Sequence, residues 1–337
     1  MVVGYIQRIS MKTSTKIICI VAAVALVAMP QMAVAMRSSP DAEFERAMKK
    51  GAQARLEIRV VDDEGEPVSN ATVKVLFNVL TPGGGEIVTV TTDTNGVAVA
   101  EGKTNDAIRY RVEKEGYYKS EEGMDMYNMS HRCEVKGGRW QPWGMQKEIV
   151  LRPVRNPAAI RMPVNNWRYV KDMYKWIGFD LQKYDFLPPH GKGEFADLEL
   201  RIDWNGKRFK GYEGIDEHIR FPNKYSGAYY VDRSMQSDFK DVYVADSNAV
   251  YQTEFDFYEH PVYDKKGMMT RRDTKELGSS RALVVRSRCK TDDEGNLVSA
   301  NYFLLSDLQF GGSDKGACLI YQGVFNPTPN DTNLEPK

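Results

Sequence analysis

Neither sign of charge is in excess: 46 Lys and Arg residues stand against 46 Asp and Glu in 337 residues. That balance excludes the basic footprint selected by nucleic acid or an anionic membrane surface. Four cysteines are too few for a disulfide scaffold. Beyond the N-terminal region no apolar run approaches the roughly twenty residues of a spanning helix. The catalytic signatures are missing too: there is no G-x-S-x-G elbow, no H-E-x-x-H helix and no P-loop. Gly83-Gly84-Gly85 lies between strand-like runs instead of ahead of a phosphate-binding helix, and reads as a hairpin tip. No catalytic residue and no cofactor is expected from motif.

Residues 1–35 have the form of a signal peptide. Arg8, Lys12 and Lys16 give a positive start, Ile17 to Met29 is a run of thirteen apolar residues, and Ala33-Val34-Ala35 is a small-residue cleavage site. Removing this leader takes away three basic and no acidic residues, so 43 basic and 46 acidic remain and the net charge becomes −3. The expectation is a periplasmic or secreted protein with no membrane span after signal removal. An oxidising compartment permits one disulfide, and Cys289 with Cys318, both in strand-like runs of the same half, is the pair expected to bridge. Buried free thiols are the alternative.

What the chain does contain is strand code. After a polar lead-in over 36–53, with a short helix expected from Asp41 to Lys50, Leu56, Ile58 and Val60 alternate with Arg55, Glu57 and Arg59. A period of two buries one face of a strand and wets the other. Val73, Val75 and Phe77 repeat it, as do Val97 with Val99, and Ile108, Tyr110 and Val112. Between them lie turns: Gly65 and Gly96 can take positive φ, Pro67 presets its own, and Asn95-Gly96 is a hairpin signal. Short strands at this spacing predict a sandwich.

Val60-Val61-Asp62, Gly65-Glu66-Pro67-Val68, Ala71-Thr72-Val73, Thr92-Asp93-Thr94-Asn95-Gly96 and Glu115-Gly116-Tyr117-Tyr118 resemble the carboxypeptidase regulatory-like domains with their transthyretin-like sandwich. The resemblance covers 54–154, and its motifs are turn and core positions without a catalytic group. It implies an accessory or spacer role beside other domains. The run Glu121 to Met145 is longer than the family needs.

That run holds the residues with chemistry to offer. His131 and Glu134 have H-x-x-E spacing, but inside an accessory module they read as surface residues near a buried Cys133. Met124, Met126 and Met129 before His131 and Cys133 offer soft ligands for copper(I), although methionine is more often core filler. Trp140 and Trp143, bounded by Gly138 and Gly144, either close the seam between domains or present flat rings to a sugar.

Arg152-Pro153-Val154-Arg155-Asn156-Pro157 is a stiff linker to a second β-rich domain over 155–325, followed by a polar tail over 326–337 expected to be loosely ordered. A helix is expected from Asn165 or Asn166 to Gly178, with Trp167, Val170, Tyr174 and Ile177 on one face. Beyond it, alternation over Leu198–Trp204, the Asn205-Gly206 turn, and a hairpin around Asp292–Asn296 predict a second antiparallel sandwich, here compared to a jelly roll. Asp216, Glu217 and His218 are adjacent, yet neighbours on a strand face opposite ways. His190, His218 and His260 lack metal-ligand spacing, and Asp203 with Glu217 is an unprivileged carboxylate pair for a glycosidase. The chain is thus expected to be mainly β, two antiparallel sandwiches after a leader, exported and non-catalytic, with a structural or interaction role. Its expected partners are a polysaccharide or another envelope protein. A carbohydrate-binding protein using exposed aromatics and a small hydrolase in the second domain are the alternatives.

Overall fold

The computed structural model describes residues 42–79, 84–128, 131–162, 168–170, 174–204, 214–313 and 316–337. The leader and the Gly83 tip fall outside them. Helix α1 (Ala42–Lys50) carries Glu43 and Glu45 in its first turn and Lys49 and Lys50 in its last, each placed to complement the helix dipole. Gly51 follows at φ +78°, a left-handed stop.

The first sandwich has two sheets. In one, β1 (Ala52–Asp62) lies between β4 (Val97–Thr104) and β7 (Met145–Leu151). The pairing with β4 is antiparallel, and that with β7 is parallel, from Leu56 beside Met145 to Asp62 beside Leu151. The other sheet has the order β3-β2-β5-β6, from β2 (Thr72–Phe77), β3 (Glu86–Thr91), β5 (Ala107–Glu113) and β6 (Ser120–Asp125). The alternation read from the sequence is the observed one except in β4, where Ala98 and Ala100 face the core while Val97 is half-buried and Val99 exposed, the reverse of the expected parity. Leu56, Ile58, Val60, Val73, Val75, Phe77, Ile108, Tyr110 and Val112 all point into one core. Gly96 has φ +75°, and a Cβ there would come within 2.4 Å of the Val60 carbonyl oxygen. Only glycine fits that turn.

The second sandwich pairs two six-stranded sheets. One contains β8 (Ile177–Asp180), β9 (Leu198–Trp204), β10 (Ile215–Arg220), β12 (Glu254–Tyr263) and β13 (Met269–Lys275) in that order, with Asp185–Phe186 at the β8 edge. The other runs β11 (Gly227–Asp232), β14 (Arg281–Thr291), β15 (Leu297–Ser313) and β16 (Gly316–Asn326), with two short strands on β16. Their facing sides enclose a core that includes Phe179, Phe186, Leu200, Ile219, Phe255, Leu283 and Phe303. The outer face of the second sheet is covered as well, by Ala245 from one loop and Leu334 from the C-terminal segment.

Two expectations for this half are corrected. Arg168–Val170 is a strand paired with Ala317–Leu319, and Ile177 opens β8; these stretches do not form the expected helix, of which residues 165–167 and 171–173 lie outside the described ones. Pairing to an available sheet edge outweighs a weak helical spacing. The C-terminal segment is also not loose: Leu334 and Glu335 are buried, and Asn333 donates to the Asn156 carbonyl oxygen at 2.6 Å.

Candidate functional site

Trp140 does not form an exposed platform. Its ring is fully buried in the first core, edge-on to Phe44 at 6.0 Å, and Nε1 donates to the Thr104 carbonyl oxygen at 2.8 Å. Trp143 is half-buried, with the Arg139 guanidinium 4.7 Å from its ring centre. The two rings thus have separate environments and offer no shared surface to a sugar. Trp140 does not close the seam either; it packs under α1.

The expected Cys289–Cys318 bridge does not form. Cys289 is a free thiol that accepts a contact from Ser226 Oγ at 3.7 Å. Strand register supplies the reason. On β15, the residues opposite these cysteines are close to Ser299 and at Gly311, which puts the cysteines about 40 Å apart along the strand direction at about 3.3 Å per residue. Cys133 is likewise outside any disulfide and buried, its amide donating to the Met126 carbonyl oxygen at 3.0 Å in the first core. Glu134 is exposed and ion-paired with Lys136 at 2.7 Å. Among the described residues no group of three or more His, Cys, Asp or Glu is arranged to hold a metal ion.

The carboxylates and histidines of the second half divide between two faces. Cross-strand pairing sets Asp203 opposite Asp216 and Ile202 opposite Glu217. Asp203, Asp216, His218 and His260 therefore face outward, and Glu217 faces inward, so Asp203 and Glu217 share no cleft. On the outer face His218 Nδ1 lies 2.6 Å from Asp256 and His260 Nε2 lies 2.9 Å from Asp216. Each histidine has its own partner and the two do not converge. Among the described residues a buried ion cluster joins the two sheets: Arg288 reaches Asp197 and Asp180, both at 2.9 Å, one cation shared by two carboxylates.

Two features were not anticipated. The first is the seam. Glu335, 1% exposed, accepts from the Arg155 and Asn156 amides at 2.8 and 2.6 Å and from the Tyr118 hydroxyl at 3.0 Å. Arg152 stacks between the rings of Phe239 and Tyr243, 4.5 and 4.4 Å away, and donates to the Phe239 carbonyl oxygen at 2.9 Å and to that of Asp241. Tyr243 donates to the Pro153 carbonyl oxygen at 2.6 Å, and Gln236 Oε1 accepts from the Val150 amide at 3.2 Å. The segment around Ser237 also adds to the edge of β6 through a bridge with Ser120. Burial, and then the Glu335 carboxylate, push the Tyr118 hydroxyl far above the usual tyrosine range.

The second feature is the setting of Glu217, which the sequence offered only as one half of a carboxylate pair. The residue lies in the inward row of β10 between Ile215 and Ile219, is 6% exposed, and lines a cavity of about 210 Å³ between the sheets. Burial, reinforced by Asp216, Glu259 and Glu276, pushes its carboxyl up to about 8. The sequence did carry a sign of it, because Glu217 shares its parity with Ile215 and Ile219.

No family model matches this chain and no curated protein sequence matches it. Solved structures that align with part of it include 3-chlorocatechol 1,2-dioxygenase from Rhodococcus opacus 1CP, at 11% identity and a TM-score of 0.25 over 32% of this chain and 62% of that one. Catechol 1,2-dioxygenase from Acinetobacter radioresistens aligns at 16% identity and a TM-score of 0.24, over 33% and 55%. This chain spans less than two thirds of either dioxygenase. BcpA, the major pilin subunit of Bacillus cereus, aligns over 80% of this chain and 95% of its own at 10% identity and a TM-score of 0.22. Similarity this low transfers no activity, ligand or partner.

Proposed function

We propose that this chain is an exported, non-catalytic protein whose two sandwiches act as one stiff structural or interaction unit in the cell envelope or outside the cell. Its first sandwich is of the carboxypeptidase regulatory-like kind on this reading. The observation that supports it is the seam at Glu335. A flexible tether would leave the linker amides to water, whereas here the amides of Arg155 and Asn156 and the hydroxyl of Tyr118 all end on one buried carboxylate. A buried and satisfied polar network fixes one geometry, because any rotation strands its members without partners. Rigid spacing between two surfaces serves a protein that positions others.

Expression with the leader intact and fractionation of the cells tests the location, and small-angle X-ray scattering tests the stiffness. The expected result is a processed chain outside the cytoplasm whose scattering fits a single shape. Full-length chain retained in the cytoplasm, or scattering from two freely rotating bodies, sinks the reading.

A further inference from the structure

The inward row that crosses the first sheet of the second sandwich runs Ile202, Glu217, Phe257 from strand to strand. The central position holds an acid where its neighbours hold apolar groups. Among the described residues its carboxyl has no hydrogen-bond or ion-pair partner, although the residue is 94% buried, since 6% is exposed. Burying a carboxyl without a partner costs stability that a leucine at the same place would not. Such a position is a functional candidate when it also opens on a cavity.

This one does. The chain departs from regular pairing in β15 between Ser306 and Gln309, where Asp307 takes φ +49°. A bulge of this kind bends its strand and increases the local twist. Leu308, Gln309 and Phe310 at this irregularity line the cavity, where the Phe257 and Phe310 ring centres lie 6.1 Å apart and the polar groups include Glu217, Glu259, Glu276, Thr274 and Gln309. Arg272, on the neighbouring strand, is engaged by Glu259 at 2.9 Å. Among the described residues Glu217 and Glu276 have no ion-pair partner.

We propose that this cavity binds a small primary alkylammonium group, with Glu217 as its principal charge partner, Glu276 as the second carboxylate and the Phe257 and Phe310 rings against its carbon chain. Size supports the class: about 210 Å³ falls below the roughly 300–1,000 Å³ of pockets for drug-sized ligands. A metal ion is the poorer fit, since the carboxylates do not converge as a ligand set. An ammonium needs only donors directed at separate oxygens, and aromatic rings tolerate it.

The ammonium group comes from a free amine or from the lysine side chain of a partner, and two probes separate these sources: n-butylammonium and Nα-acetyl-lysine N-methylamide. Both stay protonated between pH 6 and 8, about two units or more below the lysine value of roughly 10.4. The binding form of Glu217 is ionised, and its carboxyl is held up near 8 by burial and by Asp216, Glu259 and Glu276. Binding should therefore release a proton and strengthen by up to about tenfold per pH unit from pH 6 towards 8.

Isothermal titration calorimetry of the whole purified protein at both pH values, in buffers of different ionisation enthalpy, reads affinity and proton count together. The expected result is saturable binding of at least one probe at pH 8, at least tenfold weaker at pH 6, and at least tenfold weaker in Glu217→Gln, whose fold is checked by urea unfolding. Butylammonium alone binding assigns a free amine; equal or tighter binding of the capped lysine assigns a partner's side chain. No saturable binding of either probe at pH 8, an affinity independent of pH, or full affinity in Glu217→Gln overturns the proposal.

Discussion

The Tyr118 hydroxyl donates to the Glu335 carboxylate at 3.0 Å, a bond that spans 217 positions of chain and links the first sandwich to the C-terminal segment. Because the same carboxylate holds two linker amides, its removal strands three donors at once. Glu335→Ala is expected to cost about 2–4 kcal/mol, and Tyr118→Phe about 1 kcal/mol. Urea unfolding at neutral pH measures both; equal midpoints for wild type and Glu335→Ala would show that the seam contributes nothing.

Glu217 should give stability an unusual pH dependence. Its folded carboxyl titrates near 8, against an ordinary value of 4.5. The folded state therefore holds this proton more tightly than the unfolded chain. The contribution is fully present below about pH 4.5 and is lost as pH rises towards 8, at up to about 1.4 kcal/mol per unit. Glu217→Gln removes the dependence, so the variant should gain a few kcal/mol over wild type at pH 9 and little at pH 5. Unfolding curves at pH 5, 7 and 9 that run parallel for the two proteins would count against the assignment.

Trp140 and Trp143 should separate cleanly. Trp140→Ala removes a fully buried ring and its hydrogen bond to Thr104, an expected loss of about 3–5 kcal/mol. Trp143→Ala removes a half-buried ring near Arg139 and should cost under about 1 kcal/mol. Thermal melts of the two single variants decide it, and similar losses at both positions contradict the burial described.

The cysteines yield a mass prediction. With Cys289 free, purified protein denatured without reductant should take up alkylating reagent at Cys289 as fully as protein reduced first. In the native state Cys289 should react slowly, because burial, partly offset by Ser226 and Arg286, raises its thiol above the ordinary value. Peptide mapping that finds Cys289 linked to Cys318 refutes the register argument.

The first sandwich was legible because its information is local. Alternation fixes which side of a strand is wet, and a dipeptide such as Asn95-Gly96 fixes a turn. The cysteine pairing failed because β15, longer than a neighbouring strand suggests, carries the two apparent neighbours to its opposite ends. Trp140 was misread for a related reason: a glycine-bounded tryptophan has the same sequence appearance whether a helix covers it or not, and α1 lies nearly a hundred positions earlier. The seam was beyond local reading, since Glu335 is one acidic residue among many until the chain returns to Arg155.

The parallel pairing of β1 with β7 also determines how the first sandwich would carry a load. The chain enters this ladder on β1 at Leu56 and leaves it on β7 at Leu151, at opposite ends of seven paired positions. Tension between the N-terminal side and the second sandwich therefore slides the two strands past each other, and their hydrogen bonds must fail together instead of peeling one by one. Single-molecule extension should record the first sandwich yielding at a high force in one step, with the ladder acting as a mechanical clamp in the line of pull.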